Sequence, residues 1–258
     1  MSEKQEKLKK ELSKSAMQFV TKENELLHYL MYTTYLESFE IYIEKHNLIN
    51  DVFKFLKKNK NDYEKSKQKL IEINKSVQKV NAEMVYKLYY QNFEEFISNL
   101  FYSIFFIYPK FIKKEGELVS VEFETLYEKS SVEDIRKIII EKKVKEIIQS
   151  NNISNTLRKF KSIFGIELPI KDDEIKLIMF FSLNRNIITH NNGIVNSIYL
   201  AEVKRFNLKS DFKLGESVLP VIEELTRQIQ NTLPDISTKI FRFLNEKVSQ
   251  IEIYSEKL

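Results

Sequence analysis

Arg185 and His190 are the side chains whose types and spacing point to chemistry, within LNRNIITHNNGIVN at residues 183–196. Histidine has the ordinary pKa nearest neutrality, which suits it to move protons. Arginine presents a planar fork of donors matched to two phosphate oxygens. Together they suit proton transfer at a phosphate that gains negative charge on the way to product. Asn186 lies one helical turn before His190 and shares its face. Arg185 and His190 stand about 140° apart around an α-helix. The arginine side chain is long, however, and the histidine sits where the helix runs out, so both can converge on one phosphate. The chain holds six arginines and three histidines, which makes such a pairing uncommon by chance.

Other chemistries lack their parts. There is no cysteine, which removes disulfides, thiolate metal sites and a cysteine nucleophile. No glycine-rich phosphate loop and no His-Glu-x-x-His occurs, and no Asp/His cluster has metal-ligand spacing. The expectation is a chain with no cofactor and no metal.

The elements that position the pair are helical. Hydrophobic residues make up 43% of the 258, with 19 Phe and 13 Tyr, enough for a substantial core. Only 4 Gly and 4 Pro occur, too few for the turns of a β-rich fold. The expected fold is all-α: an antiparallel helical bundle with long N-terminal helices and a C-terminal helical extension. Residues 1–60 form an N-terminal helical region packed on the bundle, 61–210 its core and 211–258 the extension, all within one globular unit.

Apolar residues recur at three- and four-residue steps through Leu26, Leu27, Leu30, Tyr35, Phe39 and Ile43, which predicts helix over residues 2–57 with a pause near Asn24. KKNKND at 57–62 reads as a turn. A second long helix runs from Tyr63 to Tyr108, stops at Pro109, and buries a stripe that includes Val80, Met84, Leu88, Phe93, Phe96, Ile97 and Leu100. Residues 113–130 read as a loop, although LVSVEFETL alternates as a short strand would. Ser131 opens a box-like cap for a helix to Gln149. A further helix spans Ser154–Phe164 with Gly165 as its cap. The motif's own helix begins at Asp172 and Asp173, which favour a helix N-terminus, and ends between His190 and Gly193. A short segment covers Ser197–Lys204, and a last helix covers Glu216–Gln250, kinked or divided by Pro234.

The charge of +4 permits nucleic-acid binding without demanding it. The most apolar run, residues 99–112, is too short to cross a bilayer and is broken by Pro109 and Lys110. The Lys/Glu-rich opening is unlike a signal peptide. A cytoplasmic protein without membrane contact is expected.

RNIITHNNGIVN resembles the motif of HEPN domains, a helical ribonuclease family, in the form Arg-Asn-x-x-x-His-Asn-x-Gly found in many bacterial defence and toxin proteins. Arg185, Asn186, His190, Asn191 and Gly193 match it. Residues 138–169 are similar to the helix pair that precedes the motif, and 89–105 to the family's aromatic early helix, so the likeness spans about 85–205. The first 60 and last 45 residues carry no such likeness.

The resemblance implies a metal-independent endoribonuclease. The RNA 2′-hydroxyl attacks the adjacent phosphate and leaves a 2′,3′-cyclic phosphate. His190 serves as general base or acid, Arg185 as phosphate clamp, and Asn186 orients one or the other. Asn191 and Asn192 are candidate substrate contacts, although Asn191 reads equally well as a helix-end residue. One histidine does not readily serve as base and acid at once. His28 and His46 occupy ordinary positions on the first helix. HEPN domains meet the need by pairing, which implies a homodimer with a composite site. The implied role is a toxin or phage-defence effector cutting cellular RNA, under an antitoxin or another defence partner. The alternative is a non-catalytic HEPN module that binds RNA or a partner protein.

Plainer uses remain for the neighbours. His190 can end its helix as a cap. Glu94 or Glu95 can reach the motif's arginine, or simply be solvated. The aromatic run at 86–111 reads as core. The lysine clusters at 57–60 and 142–145 read as solvated faces that could line an RNA path.

Overall fold

Apolar residues at helical spacing, separated by Lys and Glu, build α-helices along almost the whole chain. The computed structural model describes residues 1–45, 60–112, 131–149 and 152–257, with side chains for 1–29, 80–112, 131–149 and 152–257. The chain is all-α. The described helices are α1 (Glu3–Lys45), α2 (Lys60–Ile107), α3 (Val132–Gln149), α4 (Ile153–Phe164), α5 (Asp172–His190), α6 (Ser197–Arg205), α7 (Ile222–Glu246) and α8 (Val248–Glu256), with 3₁₀ turns at Pro109–Ile112 and Leu219–Val221. Among the described residues, no helix is long and apolar enough to cross a membrane.

α2 is the central element and packs against α1, α3, α5 and α7. Its second half explains why. Tyr86, Tyr90, Phe93, Ile97, Leu100, Phe101, Ile104 and Phe105 are all essentially without solvent contact. Each such side chain contributes on the order of 1.5–3 kcal/mol of transfer free energy. Phe101 stands 4.3 Å from Phe160 and 5.5 Å from Phe164 of α4, and Phe105 is 5.4 Å from Phe164. The aromatic run at 86–111 is therefore mostly core, as its composition suggests.

The local signals hold at several ends. Ser131 Oγ accepts from the Asp134 amide at 3.2 Å, and Asn152 caps α4 by accepting from the Asn155 amide at 2.9 Å. Gly165 ends α4 with φ 68°, and a Cβ there would meet the Tyr254 ring at 2.9 Å, so backbone conformation and packing both call for glycine. α2 ends one residue before the expected Tyr108.

Four expectations differ. α2 begins at Lys60, so residues 60–62 of the expected turn at 57–62 are helical. α1 runs through Asn24 without a pause. Val80, Met84 and Leu88 are exposed (61%, 38% and 37%), because α2 turns Ala82, Val85, Tyr86 and Tyr89 inward instead. α7 starts at Ile222 and continues through Pro234, and the break falls at Lys247. Leu233, Ile236 and Ser237 are buried around the proline, so packing holds the helix together across the lost backbone bond. His46, the loop at 113–130 and residues 57–59 of the first lysine cluster lie outside the described residues.

Candidate active site

α5 carries the motif, and its start is fixed by polar contacts. The Lys171 amide donates to Glu174 Oε2 at 2.7 Å, and Lys239 of α7 donates to the same carboxylate at 2.8 and 3.0 Å. The buried face of α5 is Ile178, Met179, Phe181, Asn184, Ile187 and Ile188. That leaves Arg185 at the margin and Asn186 and His190 on the exposed side.

Arg185 is held on two sides. Its Nη1 donates to Asn186 Oδ1 at 3.1 Å. Its Nη2 faces Glu94 Oε2 of α2 at 3.8 Å, with side chains 29% and 32% exposed. Glu94 and Glu95 are neighbours in sequence but about 100° apart around the helix, so they meet different partners. Glu95 pairs with Lys22 of α1, and Glu94 meets Arg185. Burial pushes the Glu94 carboxyl above its ordinary range, and the guanidinium offsets only part of that. Tyr90, one turn earlier, is buried, which raises its hydroxyl, and Glu94 raises it further.

The His190 imidazole is exposed and makes no hydrogen bond or ion pair among the described residues. It does not cap α5. The backbone does that: the Asn191 and Gly193 amides both donate to Ile187 O at 2.9 Å, with Asn192 (φ 52°) and Gly193 (φ 72°) in the left-handed region. Asn191 spends its side chain locally, donating from Nδ2 to Ile194 O at 2.6 Å. Asn192 is exposed at the turn. His28 is exposed on α1, with no hydrogen bond or ion pair to the motif.

The turn after His190 is tied to the C-terminal region. Val195 N donates to Glu216 O (2.8 Å), Gly215 N to Val195 O (2.9 Å) and Val218 N to Gly193 O (2.9 Å). A Cβ on Gly193 would come within 2.7 Å of Leu219 Cγ. Residues 213–219 thus clamp the motif's end, a role that no local feature of the sequence announces.

A second unannounced feature is Asn184, fully buried beside Arg185 in the chain. Its Oδ1 accepts from the Tyr199 hydroxyl at 3.0 Å, and its Nδ2 has no partner among the described residues. Tyr199 also lies 3.5 Å from Ser210 Oγ. The available signal is a polar residue at helical spacing from Phe181, Ile187 and Ile188, on the apolar face.

No family model, curated protein or solved structure matches this chain. A groove of about 840 Å³ lies between the first half of α5, residues 207–212 and the start of α7, but neither Arg185 nor His190 lines it. Asn186 and His190 are exposed and Arg185 is partly so, which leaves all three open to solvent. Among the described residues, no three acidic or histidine side chains cluster as a metal site would require. Of the second lysine cluster, Lys142 and Lys145 are exposed on α3, while Lys143 faces Glu146 at 3.5 Å.

Proposed function

We propose that this chain is a metal-independent endoribonuclease of the HEPN type, cutting cellular RNA to leave a 2′,3′-cyclic phosphate as a toxin or phage-defence effector. The observation that carries the reading is the arrangement at the end of α5: a guanidinium steadied by Glu94 and Asn186, and an exposed imidazole left uncommitted. Arg185 grips the phosphate and stabilises the charge of the transition state, and His190 transfers a proton. Asn186 acts through Arg185, which it contacts directly. Asn191 serves the turn, which leaves Asn192 as the nearer candidate for a substrate contact.

The protein works as a homodimer with its two motifs facing each other. Ile194 (38% exposed), Ile198 (72%) and Leu214 (65%) belong to the turn, helix start and tie that follow His190. They supply apolar surface for a second copy next to the motif.

The test is incubation of purified protein with total RNA in EDTA, beside Arg185→Ala and His190→Ala. Wild type should release fragments ending in cyclic phosphate, and each variant should be slower by roughly 10²–10⁴-fold. Tight RNA or protein binding with no cleavage by any form would replace this reading with a binding module. Cleavage that persists unchanged in both variants would refute the assigned site.

A further inference from the structure

Resting on the ribonuclease reading, we propose that the Glu94 carboxylate is the base of this site, taking the 2′-hydroxyl proton of an RNA whose phosphate Arg185 holds, while His190 protonates the leaving 5′-oxygen. The reaction needs two proton-transfer groups, and each motif carries one histidine, so a carboxylate beside the clamp is a candidate for the other. Glu94 is the acidic side chain that α2 delivers to the motif's arginine.

Three features of its setting fit the task. At 3.8 Å the Glu94–Arg185 pair is longer than a hydrogen bond, so each group keeps capacity for a third participant between them. A phosphate oxygen hydrogen-bonded to Nη2 brings its neighbouring ribose within reach of Oε2. Glu94 is about one-third exposed, so substrate can reach it, yet enough is buried to strengthen it as a base. The charged and titratable groups around it are Arg185 on α5 and Tyr90 on its own helix. The Tyr90 hydroxyl, raised by burial, does not compete for the proton at neutral pH.

The step balances without any redox partner. The 2′-O–H bond breaks and its proton goes to Glu94. The 2′-oxygen–phosphorus bond forms as the phosphorus–5′-oxygen bond breaks, and the 5′-oxygen takes a proton from His190. Glu94 ends protonated and His190 neutral, and exchange with water resets both.

Glutamine at this position separates proton transfer from simple support of Arg185, because an amide oxygen still accepts from a guanidinium but takes no proton. The full-length protein is assayed on a mixed-sequence, end-labelled RNA, and binding is measured with the 2′-deoxy oligomer of the same sequence. Glu94→Gln should cut kcat by roughly 10²–10⁴-fold with affinity for the deoxy oligomer unchanged. Glu94→Asp should retain part of the activity and shift the acid limb of the pH–rate profile. Melting by circular dichroism checks folding. If the glutamine variant fails to fold, the aspartate limb alone decides, and an unmoved limb overturns the proposal. Cleavage by Glu94→Gln within about threefold of wild type, or a loss that tracks affinity, also overturns it. With wild type active and His190→Ala inactive, those outcomes leave the ribonuclease reading standing. Absence of cleavage by wild type removes both.

Discussion

At the residue scale, buried carboxylates in this protein are tuned by desolvation more than by their partners. Glu23 of α1 is 9% exposed. It accepts from Asn92 Nδ2 at 2.7 Å, while its second oxygen finds no partner among the described residues. Burial raises its pKa from 4.5 to about 7, and the Asn92 bond counters only part of this. Between those values the folded form holds a proton that the unfolded chain has released. The contribution of Glu23 to stability is therefore fully present below about pH 4.5 and is lost as pH rises through 7. The loss is roughly 3 kcal/mol. Glu23→Gln keeps an acceptor for Asn92 and removes the ionisation. Urea unfolding should show this variant gaining over wild type at pH ~8 and losing that gain at pH ~4. An equal difference at both pH values would rule out the linkage.

At the element scale, the end of α5 is set by its tie to residues 213–219 as much as by its own sequence. Gly193 has φ 72° and lies against Leu219. An alanine there adds backbone strain of about 1–3 kcal/mol and a clash with Leu219. Gly193→Ala should lower Tm by roughly 5 °C. On the ribonuclease reading it should also slow RNA cleavage although Arg185 and His190 are unchanged in sequence, because the turn that follows His190 must shift. A variant with wild-type Tm and wild-type cleavage would show that the tie is not needed for the site.

At the scale of the whole molecule, α2 links the outer helices to the motif: it meets α1 through Asn92 and Glu95, α7 through Ala82 and Tyr89, and α5 through Tyr86 and Glu94. The proposed dimer contact is the exposed Ile198 and its neighbours, which follow the motif in the chain. Light scattering after gel filtration should give a dimer for wild type and a monomer for Ile198→Glu, with cleavage reduced in step. A wild-type protein that stays monomeric at assay concentration and still cleaves RNA would exclude the shared site.

The sequence by itself determined that the chain is helical, because periodic apolar residues with few Gly and Pro leave no other way to satisfy the backbone and bury the core. It also marked Arg185, Asn186 and His190 by residue type and spacing, and Gly165 and Ser131 as helix ends, since capping is a local interaction. It did not determine which face of α2 turns inward near Val80, Met84 and Leu88, because helix rotation is chosen by every neighbour at once. Nor did it choose Glu94 over Glu95 as the partner of Arg185, bury Asn184 against Tyr199, or bring Gly193 against Leu219. Those contacts join residues far apart along the chain, and only packing of the whole fold brings them together.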